Sequence, residues 1–217
     1  MRTSAFDFLS NLDTLLAVFI GAGLATGGAL LAEIIQERTN RKRRERDAAR
    51  FFGDILMSID QILSFAFHSQ GIGDKWGGVS IRLFKTALKE AEVYERNRER
   101  LFDILDMDLR GRIHSHFLTE TFPIEALIES SEDIASIENT LGRGVKLSKK
   151  EADKLNVQLS ELFEAREAGL TALKREHAKT DDLCRDMEKI AKVKFNTLVD
   201  QANSPAPTKP PTSGKTT

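Results

Sequence analysis

Nineteen consecutive residues near the N-terminus carry no charge, and Thr14 to Ala32 reads TLLAVFIGAGLATGGALLA. A helix rises about 1.5 Å per residue, so this run covers roughly 28 Å, close to the hydrocarbon thickness of a bilayer. A long helix in the core of a soluble protein normally keeps a polar face, and this run has none. We therefore predict a transmembrane helix over residues 12–35, preceded by a short extracytoplasmic segment over residues 1–11.

Two other interpretations of the uncharged run remain open, namely a cleaved signal peptide and a buried helix. A signal peptide has a basic segment before its apolar part and a small-residue cleavage site after it. Here Asp7 and Asp13 outweigh Arg2 on the N-terminal side, and the C-terminal side is strongly basic. This charge distribution favours a retained membrane span.

Residues 36–50 form a basic collar in which seven basic side chains stand against three acidic ones. By the positive-inside rule, such a flank stays in the cytoplasm. The prediction is a single-pass protein of a bacterial-type inner (plasma) membrane, with the N-terminus outside and the body inside. Basic side chains next to the membrane surface also bind anionic lipid headgroups, and each contributes about 1 kcal/mol of binding free energy. We assign topology and lipid contact to Arg38, Arg41, Lys42, Arg43, Arg44, Arg46 and Arg50.

Small residues recur along the predicted span and could let two such helices approach each other closely. Gly23 and Gly27 form a GxxxG motif, while Gly21, Ala25 and Ala29 belong to another ridge of small side chains. Glycine and alanine are also common in membrane helices that do not associate. Helix–helix contact and a homo-oligomer are therefore one interpretation, and ordinary composition is the other.

The first helix is predicted to continue without a break from residue 12 to residue 68, since only one glycine and no proline occur over residues 36–68. Apolar residues recur there at steps of three and four, as on the buried face of a bundle helix. Four glycines over residues 69–78 predict a loop rather than a phosphate site, because the segment lacks the GK[ST] ending. Residues 51–200 are then predicted to form an all-α cytoplasmic domain, an antiparallel helical bundle or coiled coil of about four long helices.

The remaining helices follow from the same apolar spacing. The predicted buried face of the second consists of Ile81, Phe84, Leu88, Ala91, Leu101, Phe102 and Leu105. That of the third consists of Leu109, Ile113, Phe117, Ile124, Leu127, Ile128, Ile134 and Ile137. The second is predicted over 79–105, with a break near Asn97, and the third over 107–141, with Asp106 or Asp108 as its cap. Pro123 should kink the third helix or restart it with Thr121 as a cap. The fourth is predicted as one helix from the capping box Ser148–Glu151 to about residue 199. Residues 201–217, rich in proline and threonine, are predicted to be a disordered tail.

Candidate chemistry is sparse in this sequence. Cys184 is the only cysteine, which excludes an internal disulfide and fits a reducing compartment; its acidic neighbours are expected to raise the thiol pKa. His116 and Glu120 could share a metal, but no third ligand is visible. We therefore predict no catalytic residue, no metal, no cofactor and no enzymatic activity. The net charge of −1, with an acidic body, argues against nucleic-acid binding.

These features predict a membrane-anchored helical scaffold or interaction protein with an unknown protein partner. The alternative is a signalling or stress-response membrane component whose bundle repacks when a ligand or partner binds. In that alternative, the helices would change their packing at Pro123 and at the glycine-rich loop over residues 69–78.

Overall fold

The structure is a computed structural model that describes the backbone of residues 4–142 and 148–195 and the side chains from residue 16 onward within them. It contains a 3-10 helix, Arg98–Asp103, and no strand within those ranges. The α-helices are α1 (Ser4–Ile72), α2 (Gly78–Arg96), α3 (Met107–Gly142), α4 (Lys149–His177) and α5 (Thr180–Ala191). The all-α class and the bundle are confirmed, with five α-helices in these two ranges instead of about four. The predicted disordered tail over residues 201–217 lies outside the described ranges.

The chain divides into two compact units, residues 1–45 and residues 46–217. The second unit holds the hydrophobic core, to which every described α-helix contributes side chains. Its largest fully buried side chains are Phe52, Leu56, Ile59, Leu63, Phe84, Tyr94, Ile104, Ile113, Phe117, Ile124, Leu127 and Leu173.

Helix α1 is longer than the predicted range at both ends. It begins at Ser4 because no glycine or proline interrupts residues 4–11. It ends at Ile72, since Gly71 alone is tolerated in a helix. The turn that follows is built on Asp74, whose Oδ1 accepts from the backbone N–H of Trp76 at 3.0 Å. The predicted interhelical turn is confirmed, although it is shorter than residues 69–78.

The break near Asn97 is confirmed, because α2 ends at Arg96 and a 3-10 helix follows. Two side chains predicted to be buried after this break are exposed instead. The exposed fraction is 77% for Phe102 and 42% for Leu105. The reason is the change of helix type: a 3-10 helix has about three residues per turn, which rotates Phe102 away from the stripe that α2 would have continued. Leu101, which was predicted to be buried as well, is buried.

Helix α3 runs through Pro123 without a restart, so Thr121 is not a cap. Its hydroxyl donates instead to the carbonyl of Phe117 at 2.6 Å. All eight apolar residues predicted for the buried stripe of α3 are buried: Leu109, Ile113, Phe117, Ile124, Leu127, Ile128, Ile134 and Ile137.

The capping box Ser148–Glu151 at the start of α4 is confirmed, with both hydrogen bonds present. The prediction of one helix from there to about residue 199 is wrong, because α4 ends at His177 and α5 begins at Thr180. Ala178 and Lys179 keep right-handed dihedrals, so this break needs neither glycine nor proline and leaves no punctuation in the sequence.

Helix α5 also ends earlier than predicted, at Ala191, where Lys192 adopts a left-handed conformation with φ of 57°. The chain then turns back and buries Phe195, whose N–H donates to Glu188 Oε1 at 2.6 Å. The Phe195 ring lies against Gly53 of α1, where an added Cβ would overlap the ring. Gly53 is therefore needed for this close approach.

Candidate functional site

The predicted membrane-span residues lie on the N-terminal part of α1 and are not covered by other parts of the described chain. The most apolar 18-residue window there has a mean hydropathy of 1.8, and none of it is buried. At Gly21, Gly23 and Gly27 an added Cβ would meet nothing within 4 Å. Helix α1 is thus long and apolar enough to cross a bilayer, a property that membrane spans and signal sequences share. Contact between two such helices stays a prediction.

The predicted basic collar follows on the same helix, with its seven basic residues exposed. Arg44 Nη2 lies 3.1 Å from Glu37 Oε1. Arg50 makes a contact that the sequence did not predict, since its Nε donates to the carbonyl of Ala191 at 3.0 Å. A guanidinium at the C-terminal carbonyls of α5 is favourable because that end of a helix carries partial negative charge. Arg50 therefore has a structural role within residues 46–217.

Inside the bundle, a buried polar cluster centres on Glu120 of α3, which is 2% exposed. Glu120 Oε1 lies 3.4 Å from His116 Nε2 and 3.8 Å from His177 Nδ1. The hydroxyl of Thr180 donates to the same oxygen at 3.4 Å and lies 3.1 Å from His116 Nε2. One carboxylate oxygen is thus the common neighbour of two imidazoles and one hydroxyl.

Helix α1 completes the polar cluster from the opposite side of His177. Asp60 Oδ1 lies 3.4 Å and Ser64 Oγ 3.3 Å from His177 Nε2. Within the described residues, Glu120 Oε2 and His177 Nδ1 have no hydrogen-bond partner. The cluster therefore connects α1, α3, α4 and the start of α5 while retaining unused hydrogen-bonding capacity.

Burial lowers the pKa of His116, while the carboxylates of Glu120 and Glu176 act in the opposite direction. His114, two residues earlier, faces elsewhere and places Nδ1 2.6 Å from the Tyr94 hydroxyl. The two histidines therefore lie on different faces of α3. Across residues 16–142 and 148–195, no three His, Cys, Asp or Glu side chains are arranged to hold a metal ion.

Cys184 is buried, and its thiol pKa is raised to about 12. Burial is the largest cause, and Asp60, Asp181, Glu188 and Glu120 add to it. The sequence predicted the direction from acidic neighbours alone. A thiol that stays protonated at neutral pH is a poor nucleophile, so Cys184 serves as a core residue.

A surface cavity of 670 Å³ lies between the 3-10 helix and the start of α3. Phe102 and Met107 line it and are 77% and 76% exposed, and Arg98, Arg110 and Glu99 supply charge around them. Large apolar side chains this exposed, with a charged rim, are typical of a surface that contacts another molecule.

The sequence prediction missed the roles of Asp60, Thr180 and Arg166, although a signal was present. Two of them occupy a position on an apolar stripe: Asp60 lies between Leu56 and Leu63, and Arg166 between Leu162 and Leu170. A polar residue at a stripe position is either paired inside the core or marks a site, and only the fold shows its partners.

Comparison of the chain with protein-family models, with curated proteins and with solved structures gives no match.

Proposed function

We propose that this protein is a membrane-anchored helical scaffold on the cytoplasmic face of a bacterial-type inner membrane. One observation supports this most strongly: the large apolar side chains between Leu16 and Ile35 are 50–73% exposed around the whole helix. Burying one such side chain contributes about 1.5–3 kcal/mol. A bilayer would provide that burial for all of them together.

The orientation follows from the basic collar. The collar would keep the bundle in the cytoplasm and would face anionic headgroups through Arg38, Arg41, Lys42, Arg43 and Arg44. Exposed Phe102 and Met107 support the interaction role, since they leave an apolar surface available to a protein partner. The scaffold would act by localisation, because confinement to a membrane surface raises the effective concentration of the bundle and its partner without any new contact.

Deleting residues 1–35 tests the anchor. We expect the full chain to float with membranes at high salt and the shortened chain to remain in the soluble fraction with its helical content intact. Deletion of residues 201–217 is the matched control and should leave the chain on membranes. Flotation of the chain without residues 1–35 at high salt would contradict the proposal.

A second function, a signalling or stress-response component, is favoured by the incompletely satisfied polar cluster around Glu120. Buried polar groups without full pairing are costly, so a second packing of the helices could lie close in free energy. This function predicts a ligand-dependent change in protease cleavage over residues 69–78, whereas a static scaffold predicts the same cleavage under all conditions.

A further inference from the structure

Arg166 of α4 is a buried arginine for which no hydrogen bond is found within residues 16–142 and 148–195. It is 7% exposed, and its Nε is buried without an acceptor in the described part of the chain. A guanidinium has five N–H donors and stays charged in proteins. Leaving a buried charged donor unsatisfied costs more than about 1–3 kcal/mol, so a ligand that supplied an acceptor to Arg166 would be stabilised by this contact.

The guanidinium packs against two aromatic rings, and the carboxylates of Glu167, Glu138 and Asp74 attract it without forming a salt bridge in the described part of the chain. Its Cζ lies 4.2 Å from the centre of the Trp76 ring and 5.2 Å from that of Phe163. Trp76 is itself fixed, since its Nε1 donates to Glu167 Oε1 at 3.2 Å, and Lys75 holds the other oxygen of that carboxylate at 2.6 Å. These contacts orient Arg166 while leaving its hydrogen-bonding edge unused.

Arg166 lines a cavity of 450 Å³ formed by the Asp74 turn, the start of α2, α3 and α4. This volume lies in the range of small-molecule sites. The apolar part of the lining comes from Trp76, Phe163, Ile81 and Ile134.

The carboxylates of the lining restrict the charge of a ligand. Asp74, Glu132 and Glu138 face the cavity with Arg166, which makes the lining negative overall and disfavours a multiply charged phosphate. Glu132 is paired with Lys85 at 2.6 Å, whereas Glu138 has no ion pair within the described residues. A ligand that matches this lining carries one carboxylate for Arg166 and one ammonium group for Glu138.

We propose that this cavity binds a small zwitterion, namely an apolar α-amino acid. Its carboxylate would accept two parallel hydrogen bonds from the Arg166 guanidinium, the geometry that makes arginine the preferred partner of carboxylates. Its ammonium would face Glu138 and Asp74, and its side chain would lie on Trp76, Phe163 and the two isoleucines. The site lies within residues 46–217 and does not depend on the proposed membrane anchor.

Trp76 is the only tryptophan in the chain and contacts Arg166, so its fluorescence reports on the cavity directly. The full chain in detergent is titrated with L-leucine, L-isoleucine, L-valine, L-methionine and L-phenylalanine in turn, each to about 10 mM, a range that covers weak small-molecule sites. We expect a saturable fluorescence change with at least one of them. The matching amine without the carboxylate, and the matching acid without the ammonium, should each bind at least about tenfold more weakly.

Variants separate a ligand site from a structural arginine. Arg166→Gln should abolish the fluorescence response, and Glu138→Gln, a change at an exposed position, should weaken it at least about tenfold without affecting the fold. Glu125→Gln, at an exposed position of α3 outside the lining, is the matched control and should titrate like the unchanged chain. The proposal is overturned if no amino acid gives a saturable change, if the acid alone binds as tightly as the amino acid, or if Glu138→Gln binds normally.

Discussion

Two glycines show how much the surroundings of one residue decide the effect of a single methyl group. Gly53 lies under the ring of Phe195, while Gly111 of α3 has nothing within 4 Å of the position of an added Cβ. Both lie inside α-helices, where replacing glycine by alanine normally stabilises by about 0.5–1 kcal/mol. Packing therefore distinguishes two positions with the same backbone conformation.

Gly53→Ala is expected to destabilise residues 46–217 by about 1–3 kcal/mol, because the Phe195 ring must leave its place to make room. Gly111→Ala is expected to stabilise by about 0.5–1 kcal/mol. Urea unfolding of the full chain in detergent, followed by Trp76 fluorescence, measures both changes. Equal effects of the two substitutions would contradict the packing of Phe195 on Gly53.

The polar cluster predicts a pH dependence of stability. His116 faces Glu120 and Thr180, with Glu176, His177 and Lys179 also acting on it, and burial lowers its pKa below the ordinary 6.5. The unfolded chain therefore binds the proton first as the pH falls. The contribution of neutral His116 to the free energy of unfolding is complete above pH 6.5. It is lost progressively as the pH falls from 6.5 towards the lowered pKa of the folded state.

His116→Gln should reduce the pH dependence of the free energy of unfolding between about pH 7 and pH 5, because an amide does not titrate. His68→Gln, at an exposed histidine of α1, is the matched control and should keep the slope of the unchanged chain. Urea unfolding at several pH values measures the slope. A profile of His116→Gln that parallels that of the unchanged chain would show that His116 does not carry the dependence.

At the scale of the helix, the ends are set by single side chains. Asp106 Oδ1 accepts from the backbone N–H groups of Asp108 at 3.0 Å and Leu109 at 3.1 Å, so it caps α3. Asp108, the other candidate, lies in the first turn and has only the attraction of its charge to the helix N-terminus.

Asp106→Ala should therefore cost about 0.5–2 kcal/mol of unfolding free energy, the usual effect of losing an N-cap. Asp108→Ala removes only a charge near the helix N-terminus and should cost about 0.3–1 kcal/mol, most of it suppressed by salt. Urea unfolding at low and high salt distinguishes the two. A larger loss for Asp108→Ala than for Asp106→Ala would contradict this assignment of the cap.

The helices themselves were largely predictable, because periodicity reports burial directly. All eight stripe residues of α3, the capping box at Ser148 and the break at Asn97 follow from the sequence. The turn at Ala178 and Lys179 does not, since right-handed dihedrals require no special residue there. The contacts of Asp60 with His177 and of Arg166 with Trp76 could not be predicted either, because they join segments far apart in the sequence and depend on how the bundle packs.

At the scale of the whole chain, the two units differ in what surrounds their apolar side chains. The described part of residues 46–217 contains a buried hydrophobic core, whereas the large apolar side chains from Leu16 to Ile35 remain exposed within the described chain. The proposed function rests on this contrast, since it assigns the uncovered segment to lipid and the covered one to the cytoplasm. The orientation depends further on the seven basic residues of the collar.

The most direct test of this account is a C-terminal fusion to an enzyme that is active only outside the cytoplasm, compared with a fusion at the same site to a protein that fluoresces only inside it. If the bundle lies in the cytoplasm, the enzyme fusion is inactive and the fluorescent-protein fusion is bright, and both fusions float with membranes. An active enzyme with a dark fluorescent fusion would place the bundle on the other side of the membrane and contradict the proposed orientation.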